Sequence, residues 1–489
     1  MRVALINANR IRPPIAPIGL DYIAEALASR GHQPAVLDLC WEADAAAAIG
    51  ALLGARDTGL VGLSLRNTDD CMYPSRASFV PGFCDLVAEV RRHSGAPVVV
   101  GGCGFSVMPE AVLDLSGADA GVWADGEWAL PAVASHLERG EDWSAVPGLV
   151  HRPGGPGPEA GTAWVRNAPG LESLDGLPTM TRSFVDNPRY FAEGGQAGFE
   201  TKRGCPMPCT YCADPVAKGA ATRLRPPEAV ADELEHLLGQ GIDHLHTCDG
   251  EFNIPADHAL AVCEELSRRG LGERLRWYAY CAPRPFSPEL AAAMRRAGCA
   301  GINFGTDHVD PRMLRSLKRQ YRADDVRCAT RWCKDEGLAV MLDLLLAAPG
   351  ETEQSLRATV KFMQEVGADR VGVAFGVRVY PGTEMAREIA GRPNRSGLIG
   401  SDDPRDPLFF IEPAVAERGP ELIAGLIGGD ERFFFECPTE GAEQTSYNYN
   451  ENGPLQQALA AGYKGAFWDI LRRWEDDGCG AARSKEEGG

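Results

Sequence analysis

The sequence has no apolar run of 18 residues, the length a membrane-spanning helix needs. Its first residues, Met1-Arg2-Val3-Ala4-Leu5-Ile6, lead straight into a strand-like segment with no charged-then-apolar leader. No membrane partner is expected, and the chain reads as cytoplasmic. Basic charge is also scarce, with 49 Lys and Arg against 68 Asp and Glu for a net charge of -19. Phosphate backbones require a basic surface, so nucleic acid is not an expected partner and a small-molecule or zwitterionic substrate fits better. A disulfide framework is absent too. Of the 15 cysteines, Cys40, Cys84, Cys263, Cys299 and Cys333 are dispersed through apolar periodic segments, as reduced core thiols are. The 489 residues suffice for about three domains at roughly 100 to 200 residues each.

Against this background one stretch stands out: Lys202-Arg203-Gly204-Cys205-Pro206-Met207-Pro208-Cys209-Thr210-Tyr211-Cys212. Three thiolates spaced C-x3-C-x2-C in a tight loop can hold three corners of one iron–sulfur cube, and no fourth thiol lies nearby. A structural zinc knot normally takes four protein ligands, so the spacing favours a cluster with one open iron. With Tyr211 before the last cysteine, the motif resembles the signature of the radical S-adenosylmethionine (radical SAM) family. The resemblance implies a [4Fe-4S] cluster on Cys205, Cys209 and Cys212, with S-adenosylmethionine filling the open iron through its amino and carboxylate groups. It also implies an electron donor such as flavodoxin or ferredoxin.

Residues 1–140 alternate short apolar runs (Val3 to Ile6, Ala35 to Leu39, Leu60 to Leu65, Pro97 to Gly102, Ala120 to Trp123) with helical stretches. That pattern predicts an α/β, Rossmann-like (flavodoxin-like) open parallel sheet, whose ligand lies beyond the carboxyl ends of the strands. Pro17 and Gly19 opening the first helix, Ser64-Leu65, Gly101-Gly102 and Gly126-Glu127 resemble the cobalamin-binding domain found ahead of class B radical SAM enzymes. Asn7, Pro17, Gly19, Ser64, Leu65, Arg66, Asn67, Gly101, Gly102, Gly126 and Glu127 are the expected cofactor contacts. The Asp-x-His-x-x-Gly motif that would give cobalt a histidine is missing, so Arg66, a cation that cannot ligate, is expected under the metal.

Residues 141–195, rich in Gly and Pro, read as a connector or hairpin with few core contacts. Residues 196–390 offer six strand candidates separated by helices, consistent with the open (β/α)6 barrel, a partial TIM barrel, of the radical SAM family. In such folds active residues gather at the carboxyl ends of the strands. The resemblance assigns Tyr211, Asp249, Gly250, Glu251, Asn303, Asp307 and Tyr380 to S-adenosylmethionine, Glu251 to its methionyl amine. Tyr280, Asp343 and Arg378 are expected at the mouth as catalytic residues, with Tyr278 beside them. His308 is expected to be structural. Residues 391–489 read as a small mixed α/β cap domain, in which the segment Tyr447 to Asn452 is expected to close over the barrel and the last ten residues to be disordered.

The activity implied by this resemblance is methylation of an unactivated carbon of a small natural product. It would use two S-adenosylmethionine per turnover, one giving its methyl group through cobalamin and one cleaved to a radical. Ring contraction, cyclisation or oxidation with the same cofactors, and a cobalamin-binding sensor or carrier, are the alternatives. A methylthiotransferase is disfavoured because residues 1–140 lack a second cysteine triplet.

Overall fold

Five of the short apolar runs near the amino terminus pair as one parallel sheet in the computed structural model, which describes residues 1–55, 57–73, 75–153, 163–435 and 452–479. The central strand Arg2–Asn7 lies between Gln33–Asp38 and Leu60–Ser64, and Val98–Gly101 and Ala120–Val122 follow outward. The strand order therefore reverses beside the first strand, where an open α/β sheet forms its ligand crevice. Residues 447–451 of the aromatic, amide-rich segment, residues 154–158 of the Gly/Pro-rich connector and residues 480–489 lie outside the described residues.

The connector departs from expectation. Leu149–His151 and Val165–Arg166 extend the first sheet as antiparallel strands, and Leu149 and Val150 are fully buried. Further on, Arg182, Asn187 and Tyr190 are also fully buried, so this segment packs between the two larger bodies. The Gly and Pro content marked its turns and concealed these anchors.

The second sheet is parallel and open. Ala197–Phe199, His244–Thr247, Arg276–Cys281, Cys299–Asp307, Ala339–Leu346 and Arg370–Phe375 pair in chain order. A seventh strand, Phe433–Phe434, joins the last of these from the carboxyl-terminal region. Alternation within each strand sorts the side chains onto two faces. Trp277, Ala279, Ile302, Phe304, Val340 and Leu342 belong to the large apolar core beneath the helices. Tyr278, Tyr280, Asn303, Met341 and Asp343, at the intervening positions, face the lumen. At the amino-terminal end Tyr278, Ala339 and Met341 close on Ala466 and Trp468, and the Tyr278 hydroxyl donates to Asp469 at 2.8 Å. The helix Phe467–Asp476 thus seals the floor of the lumen. Of the carboxyl-terminal region expected over the mouth, this helix lies at the opposite end, while Leu398–Ile399 and Phe409–Phe410 form a small antiparallel sheet with Val377–Arg378 beside the mouth.

Buried charge joins the two bodies. Arg182, Asp21 and Glu233 have fully buried side chains, with Arg182 Nε donating to Asp21 at 2.9 Å and its Nη1 to Glu233 at 2.7 Å. Arg225 donates to the other oxygen of Glu233 at 2.5 Å, and the Tyr22 hydroxyl donates to the same carboxylate at 2.8 Å. Burial raises the Glu233 pKa, but Arg225 and Arg182 more than reverse this and hold it below the usual carboxylate range. Removing one member of a buried set strands the others, at about 3–5 kcal/mol. Glu233→Ala should therefore lower the free energy of unfolding, measured by urea titration, by about that amount. Glu233→Gln, which keeps volume and hydrogen bonds, should cost less. A loss below about 1 kcal/mol for the alanine variant, the size of an exposed pair, would contradict this.

Candidate active site

The cysteine loop leaves the barrel through Lys202–Arg203, which pairs with Arg223–Leu224. Gly204 then takes φ +79°, and a Cβ there would sit 2.2 Å from the Ala221 carbonyl oxygen, so only glycine makes this turn. The Cys205 N–H donates to the Gly219 carbonyl and the Thr210 N–H to that of Leu317, which fixes both ends of the loop. Cys205 is buried and Cys209 and Cys212 half-buried. Burial raises all three thiols, Cys205 to about 11 and Cys212 to about 12, and Cys209 adds to the rise at both of these. Among the described residues no three Cys, His, Asp or Glu side chains converge on one metal ion.

Around the loop stands a ring of charge. Arg319 donates to Cys209 Sγ at 2.9 Å, pairs with Asp307 at 3.0 Å and lies 3.6 Å from Glu251. The Tyr211 hydroxyl donates to Asp307 at 2.6 Å. Glu251 keeps one oxygen, Oε2, buried without a partner, and burial pushes its pKa up to about 7 against the opposing charge of Arg319. Gly250 faces the same space, with Cys205 Sγ 3.9 Å from where its Cβ would lie. An unsatisfied carboxylate oxygen beside three thiols fits a cluster carrying a ligand with an ammonium group. Asp249 is turned away and braces the loop, accepting from the Thr201 N–H at 2.9 Å and hydroxyl at 2.6 Å.

Across the cleft, a slot of about 140 Å³ opens at the carboxyl ends of the first sheet. That volume is of the order that accepts one aromatic ring. Gly19, Ser64, Gly101, Gly102, Gly126 and Glu127 line it with Leu5, Ile23, Leu63, Val99 and Leu130, and Glu200, Arg203, Ala217 and Lys218 close it from the barrel side. Gly102, at φ +102°, would place a Cβ 2.5 Å from the Leu65 carbonyl oxygen. The apolar walls and missing Cβ atoms fit the buried nucleotide tail of cobalamin. Pro17 caps the first helix by accepting from the Leu20 N–H, and the Leu65 N–H donates to the Gly101 carbonyl. Two of the expected contacts are tied to protein partners. Asn7 donates to Asp38 at 2.8 Å and to the Tyr190 hydroxyl, and Glu127 accepts two bonds from Arg203 at 2.6 and 3.0 Å.

Between slot and cluster lies the lumen mouth. Asn303 donates to Asp343 at 2.8 Å. Burial pushes the Asp343 pKa up to about 6 despite that bond. Burial, then Asp343, raises the Tyr280 pKa, while Arg66 and Asn303 oppose, so the charge of Arg66 in the first body is felt at the tyrosine. The polar contact found for Arg66 is to Asn67 Oδ1 at 3.4 Å. Neither Asp69 nor Asp70 pairs with it, because Asp69 is held by Arg378 at 2.8 Å and Asp70 by the Ser75 hydroxyl. Arg378 also donates to the Val379 and Leu408 carbonyls, and the Tyr380 hydroxyl is in hydrogen-bond contact with the Cys71 thiol at 2.9 Å. Arg378 and Tyr380 therefore tie the two bodies together at the mouth. His308 is fully buried, with Nδ1 accepting from the Val309 and Asp310 N–H groups.

Residues 199–363 match the Radical SAM superfamily and residues 5–134 the B12 binding domain. The tryptophan 2-C-methyltransferase of Streptomyces laurentii is 35% identical to this chain over 97% of it and 96% of the relative. The chain belongs to the cobalamin-dependent radical SAM methyltransferases. TsrM from Kitasatospora setae, a radical S-adenosylmethionine methyltransferase solved with tryptophan and a SAM analogue, is similar with a TM-score of 0.89 at 30% identity over 99% of both chains. The same protein with cobalamin and a [4Fe-4S] cluster gives 0.88 at 29% identity, again over 99% of both chains. The cofactors of this methyltransferase are accordingly a [4Fe-4S] cluster, S-adenosylmethionine and cobalamin. No helix among the described residues is long and apolar enough to cross a membrane.

Sequence reasoning missed Arg319, which lies in no motif and reaches the cluster loop from a distant turn. It also missed His246, although strand parity with Tyr278 and Tyr280 was available. The slot gives a direct expectation for this methyltransferase. Gly102→Val should abolish retention of cobalamin through desalting, read from its visible absorbance, while iron and sulfide content stay at wild-type levels. Full cobalamin retention by the variant would contradict the assignment of the slot.

Proposed function

We propose that this enzyme methylates a ring carbon of tryptophan or a closely related aromatic amino acid. The observation that carries this is the near end-to-end match, in sequence and fold, to enzymes that act on tryptophan. Such a product suits natural-product biosynthesis, and flavodoxin or ferredoxin remains the proposed electron donor.

When bound, cobalamin supplies a transferable methyl group and the cluster supplies electrons. The chain's own residues position and shield these groups. Cys205, Cys209 and Cys212 would hold the cluster, and the unpaired oxygen of Glu251 would take the methionyl amine of S-adenosylmethionine. Arg66 would supply a positive charge near the corrin without ligating cobalt, since guanidinium has no lone pair to give. Tyr280, Asn303 and Asp343 would receive the substrate.

Two S-adenosylmethionine per turnover suit a saturated carbon, whose hydrogen must be removed as an atom. An indole carbon is different. Adding a methyl cation equivalent and losing a proton is redox-neutral, so one S-adenosylmethionine per product is enough. The proton needs an acceptor, and Asp343 is ionised above about pH 6. Tyr280, held protonated by burial, would orient the ring as a donor.

Anaerobic turnover with tryptophan should give a singly methylated product and S-adenosylhomocysteine in equal amounts. Equal amounts of 5'-deoxyadenosine would instead mark the two-molecule route, and no methylated tryptophan would exclude the substrate. The rate should rise as pH passes through about 6, and Asp343→Asn should remove that limb and lower kcat by about 100-fold. The same carboxyl binds its proton more tightly in the fold than in the unfolded chain, where its pKa is about 3.9. It therefore contributes stability at low pH that is lost as pH rises from about 4 through about 6. Thermal melts of Asp343→Asn should be flatter than wild type across that window.

A further inference from the structure

The chain is acidic, with a net charge of -19, yet the segment Pro311 to Arg322 carries Arg312, Arg315, Lys318, Arg319 and Arg322 and no Asp or Glu. Its inner side is fixed to the cluster loop. Met313 and Leu317 are buried in one apolar cluster with Val379 and Met385, against which Tyr211 packs. The Leu317 carbonyl accepts from the Thr210 N–H at 3.3 Å, and Arg319 donates to Cys209 Sγ at 2.9 Å. The helix Glu384–Ala390 meets the same loop, with the Met385 N–H donating to the Thr210 carbonyl at 2.8 Å, and it adds the exposed Arg387.

The outer side faces solvent. Arg312 and Arg315, three positions apart in the helix Pro311–Ser316, share one face of it and are both exposed. Acidic groups nearby leave this charge largely uncompensated. Asp310 caps the helix, accepting from the Arg312 and Met313 N–H groups at 2.8 and 3.2 Å, and comes only within 3.6 Å of Arg312 Nε. Glu384 is held by Lys318 at 2.6 Å. The Arg315 guanidinium has no hydrogen-bond or ion-pair partner among the described residues. Like charges at neighbouring positions of a helix face repel each other, and an acidic partner relieves that repulsion.

We propose that this turn, with Arg312 and Arg315 at its centre and Lys318 and Arg387 beside them, docks an acidic one-electron carrier protein of the flavodoxin or ferredoxin kind. The proposal rests on the reading of such a carrier as electron donor and gives it a place on the surface. One electron leaves the reduced carrier, which is oxidised by one unit, and the cluster passes from its 2+ to its 1+ state; no bond forms or breaks. The docking turn is joined to the cluster loop by the hydrogen bonds at Thr210 and Cys209, so the carrier meets the enzyme beside the group it reduces. Opposite charge steers such encounters, and salt weakens them. Nucleic acid is also drawn to cations, but a chain of charge -19 repels a phosphate backbone.

The test is equilibrium binding and stopped-flow reduction of the anaerobic holoenzyme, with an acidic flavodoxin in its hydroquinone form, a reduced acidic ferredoxin and a DNA duplex as probes. At least one carrier should bind wild type and reduce its cluster, with affinity falling as salt is raised. Arg312→Glu/Arg315→Glu should weaken that binding by at least about tenfold and slow reduction by the carrier. Arg312→Lys/Arg315→Lys should bind as wild type does, and Arg315→Gln alone should give a smaller loss in the same direction. Cobalamin and iron content, and turnover driven by titanium citrate, should stay at wild-type levels in every variant. Lys361→Glu, an exposed cation on the helix Glu353–Glu365, should change nothing. Carrier binding and reduction unchanged by the double reversal would overturn the docking surface while leaving the carrier standing. If neither carrier bound or reduced wild type, or the duplex alone bound, the donor and this inference would fall together.

Discussion

The two halves of this enzyme are held in register by buried charge. Asp21 and Tyr22 come from the first helix, Arg182 from the connector, and Arg225 and Glu233 from the barrel, and they meet with almost no exposure. A second set, Arg203 and Arg223 with Asp125, Glu127 and Glu200, lies at the edge of the slot. Such pairs add little net stability over apolar packing, but they are demanding in geometry, and misalignment leaves a charge stranded. Here that demand serves the chemistry. Cobalamin and cluster come from different bodies and must face one lumen, so a rigid seam between those bodies is a requirement of the reaction.

The seam is continuous with both cofactor sites. Arg203 lies two residues before Cys205, and its carboxylate partner Glu127 lines the slot. The short helix Asp214–Lys218, directly after Cys212, closes the slot with Ala217 and Lys218 against Cys103. One loop therefore borders the proposed cluster site on one side and the proposed cobalamin slot on the other. At the mouth, Arg378 to Asp69 and Tyr380 to Cys71 complete the closure. Below, Trp468 and Asp469 seal the floor, leaving a blind lumen whose opening faces the first body.

Much of the fold was legible because its signals are local. Runs such as Val3 to Ile6 and Val340 to Leu346 declare buried strands, and C-x3-C-x2-C declares the family within eight residues. What could not be seen depends on partners far along the chain. Arg182 meets Asp21 across 161 positions, and nothing near either residue announces the other. Phe433–Phe434 is too short to show any period, so the seventh strand was invisible. Asp249 occupies a motif position yet faces the Thr201 backbone, because an acidic side chain there satisfies the donors at the start of the cluster loop. Arg378 sat at a strand end as catalytic residues do, but the neighbouring body supplies Asp69 to hold it. His246 was the recoverable miss, since alternation with Leu245 and Thr247 places it on the lumen face.

The central claim is that Cys205, Cys209 and Cys212 hold a cluster that faces cobalamin across one lumen. Electron paramagnetic resonance of the dithionite-reduced holoenzyme tests it most directly. The account predicts a reduced [4Fe-4S] signal that disappears in the triple cysteine-to-alanine variant while cobalamin remains bound, and a cob(II)alamin signal broadened by the cluster only when the cysteines are intact. A holoenzyme with no cluster signal, or one whose two signals are each indistinguishable from those of the isolated centres, would contradict it.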